Sequence, residues 1–135
     1  LIRKTLMALA GAAFAASLVT MPASASSVPE ITEPSGDVSA AAYSDCPAAR
    51  LCIWTGLNGT GAIGIFAVGD ANLGAAPGPS GLNNNAESMM NRTSQRWCHY
   101  DGANYTALMA AGGPGGGANM LVQFRNRITS LRVCP

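Results

Sequence analysis

The chain has 135 residues, eight basic against seven acidic side chains for a formal net charge of +1, and 48% hydrophobic residues. Charges this sparse and balanced exclude nucleic-acid binding by phosphate neutralisation, which needs a concentrated basic face. The length bounds the folded part to one domain with one modest core.

At the start of the chain, Arg3 and Lys4 precede an uncharged apolar run over residues 6–20, and Met21-Pro22-Ala23-Ser24-Ala25 comes next. A basic start, a short apolar run and a small-x-small ending predict a secretory signal peptide over residues 1–25, cleaved after Ala25. The run is shorter than the roughly 20 apolar residues a membrane span requires, so no anchor is expected after cleavage. Removing it leaves 135 − 25 = 110 residues, with six Arg against seven acids and no lysine. Residues 26–44 contain Pro29, Pro34 and Gly36 and show no sustained periodicity. They are expected to form a flexible leader or linker that buries too little apolar surface to order itself. A pro-segment is the alternative reading of the same stretch.

Cys46, Cys52, Cys98 and Cys134 all fall in the rest of the chain. An even count in a small exported domain predicts two disulfides, in one of three connectivities. The pairing expected here is Cys46–Cys52 and Cys98–Cys134, the second tying the start of a repeat to the chain end. Zinc is disfavoured, because no CxxC spacing is present and His99 is the only histidine.

Leu51-Cys52-Ile53-Trp54-Thr55-Gly56-Leu57-Asn58-Gly59-Thr60 is answered 46 positions later by Trp97-Cys98-His99-Tyr100-Asp101-Gly102-Ala103-Asn104-Tyr105-Thr106. Such a repeat implies two copies of one supersecondary unit. Strands are expected over 50–55, 62–68 and 88–91 in the first copy, and over 95–100, 105–110, 120–124 and 128–133 in the second. Gly and Asn clusters separate them, residues that tolerate the positive φ of tight turns. Short strands at this spacing predict an all-β sandwich, and duplication predicts two Greek keys, about 45–93 and 94–135.

The pattern Cys-x-aromatic-x-Gly-x-Asn-x-Thr at Cys52 and at Cys98, each followed by Asn-x-x-Ser/Thr, resembles the βγ-crystallin Greek-key motif. With the paired cysteines and the signal peptide, the region 45–135 is similar to the secreted bacterial peptidase-inhibitor family of the Streptomyces metalloproteinase-inhibitor type. The resemblance implies two four-stranded units packed as a wedge-shaped sandwich. The two copies depart from the motif in opposite ways. The first has Gly59 where an aromatic belongs, and the second has Ala107 where a positive-φ Gly belongs. The second hairpin is therefore expected to be strained or locally remodelled.

Many βγ-crystallin units bind calcium through hard oxygen donors. The matching candidates here are Asn84, Asn85 and Ser88 in the first copy, and Asn126 and Thr129 in the second. Met89 replaces the final Ser of the first segment, and Arg125 replaces an oxygen donor in the second, where a guanidinium can only donate. Turn closure is the expectation for these residues, and calcium binding is the alternative.

No enzyme is expected. His99 and Asp101 share a strand face by spacing but form no triad, and Asp70 and Glu87 are isolated. The glycine run 112–117 lacks the GK[ST] ending of a phosphate loop. Inhibition asks for less: an exposed segment held rigidly in substrate-like form. The preferred candidate is the inter-unit connection Arg92, Thr93, Ser94, Gln95, Arg96 and Trp97, with Trp97 either filling a protease pocket or packing in the core. The stretch 108–119 is a second candidate, judged too glycine-rich unless something fixes it. The resemblance thus implies a secreted, monomeric, cofactor-free peptidase inhibitor whose partner is an extracellular protease, of the metalloprotease class. The alternative is a non-inhibitory βγ-crystallin-like extracellular module: calcium-binding, structural or killer-toxin-like.

Overall fold

The computed structural model describes residues 27–34, 40–76 and 78–135; the expected signal peptide lies outside them. The strands are β1 (Leu51–Trp54), β2 (Ile63–Phe66), β3 (Ser88–Asn91), β4 (Trp97–Tyr100), β5 (Leu108–Gly112), β6 (Ala118–Asn119) and β7 (Ser130–Val133). Two of the expected strands differ. β5 begins only at Leu108, because Asn104, Tyr105 and Ala107 hold φ of 55°, 59° and 55°, which no strand accommodates. The strand expected over 120–124 is a 3-10 turn, Val122–Phe124, preceded by the short β6. Met120 is fully buried and Phe124 packs against the core, but Val122, which strand alternation would turn to the same face, is 73% exposed.

The strands form two antiparallel sheets, ordered β2-β1-β3-β6 and β5-β4-β7. The two repeats interlock. β6, from the second, pairs with β3 of the first through Ser88 opposite Asn119 and Met89 opposite Ala118. In return Asp70, from the first, bridges Leu131 of β7. Each copy thus lends its third segment to the other's sheet, and neither can complete a sheet alone.

The repeated phrase sets the layers. Alternation turns Leu51 and Ile53 of β1 to the main core, as it does Trp97 and His99 of β4. That core also holds Leu82, Met120, Ile128 and Leu131, each fully buried. Cys52 and Trp54 face the other way, under Tyr43, whose ring meets Trp54 edge-on at 5.2 Å. Cys98 and Tyr100 do the same in the second copy, beside Tyr105, Val28 and Cys134. The disulfides are Cys46–Cys52 and Cys98–Cys134, each closing a loop within its own repeat.

The expectation of a flexible leader does not hold for the described part of residues 26–44. Ile31 is wholly buried in the main core. Its backbone N–H donates to Ala111 O at 2.9 Å and its carbonyl accepts Leu121 N at 2.8 Å; Glu33 N–H donates to Asn119 O at 2.8 Å. Residues 29–33 therefore close the seam between the free edges of β5 and β6. The ion pairs Glu30–Arg96 (3.0 Å) and Glu33–Arg125 (2.8 Å) flank the seam. One isoleucine and two exposed edges supply what the composition of the segment did not advertise.

Candidate functional site

The inter-unit connection leaves β3 at Asn91 and enters β4 at Trp97. Asn91 is 2% exposed, and its side chain organises the connection. Its Oδ1 accepts from the Thr93 backbone N–H at 3.0 Å and from Thr93 Oγ1 at 2.7 Å. Its Nδ2 donates to Gln95 O at 2.8 Å and to Gly112 O at 3.2 Å. Thr93 Oγ1 accepts in turn from Gln95 N–H at 3.2 Å and from the Trp97 indole at 3.0 Å. This is an Asx turn, favoured because a short amide reaches its own backbone two residues on.

The ends of the connection are tied as well. The Arg92 backbone N–H donates to Arg50 O at 2.9 Å and its guanidinium to Cys46 O at 2.7 Å. Arg96 pairs with Glu30, and its carbonyl accepts Cys134 N–H at 3.0 Å. Arg92, Ser94, Gln95 and Arg96 are exposed and Thr93 is half-buried, so the connection presents a fixed polar tip at Ser94-Gln95. Trp97 is not part of that surface. At 1% exposure it belongs to the main core, and the reading of it as a pocket-filling contact is corrected.

The second candidate, 108–119, is less free than its composition suggests. Besides the Asn91 amide on Gly112 O, the Gly115 N–H donates to Asn91 O at 3.0 Å. Gly117 packs against the Tyr43 ring so closely that a Cβ there would collide with it. Asn91 thus joins the two candidate segments into one surface. Sequence reasoning missed Asn91; the signal was the Asn-x-Thr spacing that marks an Asx turn.

Three of the five calcium candidates, with Glu87, form two pairs related by the approximate symmetry of the repeats. Thr129 Oγ1 donates to Asn84 Oδ1 at 3.0 Å, and Asn126 Nδ2 donates to Glu87 Oε1 at 3.0 Å. Ser88 Oγ is committed elsewhere: it donates to Gly56 O at 2.6 Å and accepts Gly59 N–H at 3.0 Å. Asn85 Nδ2 donates to Gly81 O at 2.9 Å. Glu87 is the one carboxylate of the set, whose other donors are neutral amide and hydroxyl oxygens, a weak combination for calcium. Among the described residues, no three His, Cys, Asp or Glu side chains come together as a metal cluster.

His99 and Asp101 are not paired. Asp101 binds Arg127 at 2.6 Å near the surface, whereas His99 is fully buried. Burial pushes the imidazole pKa down to about 4, and the Arg96 charge adds to the shift. Neither ring nitrogen reaches a partner at hydrogen-bond geometry; the backbone of Ala110 and Trp97 opposes the shift less than burial drives it. His99 is a neutral core residue at the place Ile53 holds in the first copy.

Two interlocked Greek keys with exchanged third segments define a βγ-crystallin domain. Solved structures of that fold are similar. A structure described under the evolution of the eye-lens βγ-crystallin domain fold aligns with a TM-score of 0.58 and 14% identity, over 66% of this chain and 89% of its own. A βγ-crystallin from Ciona intestinalis aligns at 0.54 and 12%, over 63% and 99%. One from an archaeon aligns at 0.53 and 22%, over 65% and 100%. No curated protein shows significant sequence similarity. The sequence profile of peptidase inhibitor family I36 matches residues 39–110, more than half of the chain, and the chain belongs to that family. Family membership makes it a non-enzyme.

Proposed function

We propose that this chain is a secreted, monomeric inhibitor of an extracellular metalloprotease, contacting its target through the fixed tip at Ser94-Gln95. The observation that carries the reading is the bonding of Thr93 and Gln95 to buried Asn91 beneath exposed Ser94. A segment ordered before docking loses little conformational entropy on binding, so more of the contact energy appears as affinity. Against a zinc protease, a backbone carbonyl of the tip approaches the metal as a substrate carbonyl would. The metalloprotease class follows from the resemblance to the Streptomyces metalloproteinase-inhibitor type. Two disulfides fit an oxidising compartment, and two copies within one chain close the sandwich without a second molecule. The reading requires no calcium.

The test is an inhibition assay of residues 26–135 against thermolysin-like, subtilisin-like and trypsin-like proteases at micromolar concentration. Slowing of the thermolysin-like enzyme is expected, and failure to slow any of the three sinks the reading. Ser94→Asp with Gln95→Asp alters the tip while leaving the Asn91 bonds in place. Its inhibition should weaken by at least about tenfold at unchanged Tm if the tip is the contact. Unchanged potency would move the contact elsewhere.

A further inference from the structure

We propose that Asn91 is the positioning residue that keeps the exposed segment an inhibitor and not a substrate, by holding both sides of the Ser94 linkages at once. The inference rests on the reading of residues 92–96 as the protease contact. A rigid, exposed segment is also open to cleavage. What separates the two outcomes is whether a cut releases the new ends.

Hydrolysis of Thr93–Ser94 or Ser94–Gln95 by the bound protease consumes one water. Its oxygen joins the carbonyl carbon, the C–N bond breaks, and an amine and a carboxyl group form; resynthesis reverses each change and releases the water. After either cut the upstream end stays on Asn91 Oδ1, through the Thr93 N–H and hydroxyl. The downstream end stays on Asn91 Nδ2, through the Gln95 carbonyl. One side chain, itself 2% exposed, spans both bonds, and its hydrogen bonds to Thr93 and Gln95 lie part-buried beneath the tip. Ends held together react as an intramolecular pair, which favours resealing over release.

The disulfides cannot serve this purpose. Cys46–Cys52 lies wholly before the segment and Cys98–Cys134 wholly after it, so a cut chain has no covalent link across the cut. The halves are kept together by β6 on β3, by the Asp70–Leu131 bridge and by the shared core. The ends are kept together by Asn91 and, through the Thr93 hydroxyl that it holds, by the Gln95 N–H and the Trp97 indole.

The experiment incubates residues 26–135, Asn91→Ala and Thr93→Val with a catalytic amount of a thermolysin-like protease, following residual activity, intact chain and Tm. The original chain should inhibit persistently. Its nicked fraction should migrate as one species under native conditions and as two fragments in a non-reducing denaturing gel. Nicked protein returned to the protease should regenerate intact chain. Both variants should bind at least about tenfold more weakly and lose inhibition as the segment is cut to completion. Persistent inhibition by the folded variants, or no regeneration from nicked original chain, overturns the proposal. Should Asn91→Ala not fold, Thr93→Val and the regeneration measurement decide. If the original chain slows no protease, the functional reading fails by itself, and cutting by a broad-specificity protease tests the clamp alone. Resistance at residues 92–96 in the original chain but not in the variants supports it; equal cutting overturns it.

Discussion

Gly61 and Ala107 occupy the same place in the two repeats, and both adopt left-handed backbone, with φ of 82° and 55°. The match extends to Asn58 and Asn104 (55° and 55°) and to Gly59 and Tyr105 (66° and 59°). The second hairpin has therefore kept the left-handed backbone of the first, with L-residues at two places where the first has Gly, and the β4–β5 register shifts between His99 and Tyr100, so it is both strained and locally remodelled. Left-handed backbone disfavours an L-residue by about 1–2 kcal/mol, against which Gly gives back about 0.4–1 kcal/mol of unfolded-state entropy. Ala107→Gly should accordingly stabilise by about 0.5–1 kcal/mol, raising Tm by a few degrees. Gly61→Ala should destabilise, because its Cβ would also meet Thr55 Oγ1. Thermal unfolding of both variants checks the pair; a fall in Tm for Ala107→Gly would refute the strain.

Each hairpin is fastened by one buried serine. Ser88 Oγ bonds Gly56 O and Gly59 N–H, and Ser130 Oγ bonds Gly102 O (2.6 Å) and Tyr105 N–H (3.1 Å). Ser88→Ala and Ser130→Ala should each cost about 1 kcal/mol or more, since both leave a part-buried carbonyl and N–H without their side-chain partner. Denaturant unfolding should show a loss of similar size for the two. A loss at only one site would break the equivalence of the hairpins.

Calcium is expected to leave the protein unchanged. Asn84 and Thr129 bond each other across the repeats, as do Asn126 and Glu87, and Glu87 is the one carboxylate a cation would meet there. Calorimetric titration should give no submillimolar site, and Tm should be the same with calcium and with chelator. A submillimolar heat signature would reverse this.

The repeated phrase made the fold class legible, because spacing and alternation are local properties of a chain, whereas the even cysteine count left three connectivities, of which the structure has the expected one. The exchange of third segments was not legible: β6 is two residues long, and Asp70 contributes a single bridge. Neither leaves a periodic signal. The fate of His99 could have been read from the repeat register, which places it opposite Ile53 and on the face of Trp97, two core residues. The inter-unit connection was found from its polarity and position. Asn91, which gives it rigidity, is visible only once both sheets bring Gly112 and Gln95 within reach of one amide.

The N-terminal seam supplies a direct stability test. Ile31 is 0% exposed, and a Cβ at Gly112 would come within 3.2 Å of its Cγ2. Ile31→Ala should cost about 2–5 kcal/mol, a core-truncation value foreign to a flexible leader. Deleting residues 26–34 should do the same and uncover the edges of β5 and β6, which then invite strand pairing between molecules. Light scattering and Tm on the truncated chain check this, and unaltered values for both would restore the leader reading.

Acid stability follows from His99. Its folded pKa of about 4 lies below the ordinary 6.5, so the native state refuses a proton that the unfolded chain accepts. Above about pH 6.5 neither state binds it, and His99 contributes no pH dependence. Between 6.5 and about 4, stability falls as pH falls, with a limiting slope of about 1.4 kcal/mol per unit and a total of about 3 kcal/mol. Below about 4 the native state also binds the proton and the contribution levels off. The chain also holds the ion pairs Glu30–Arg96, Glu33–Arg125 and Asp101–Arg127, so the imidazole is isolated by comparison with a variant that keeps them. His99→Ile places in the second repeat the residue that the first repeat has there, and leaves every carboxylate in place. The difference in unfolding free energy between the two chains should therefore be constant above pH 6.5 and grow in favour of His99→Ile down to about pH 4. Parallel curves across that interval would show that the buried imidazole carries no proton linkage.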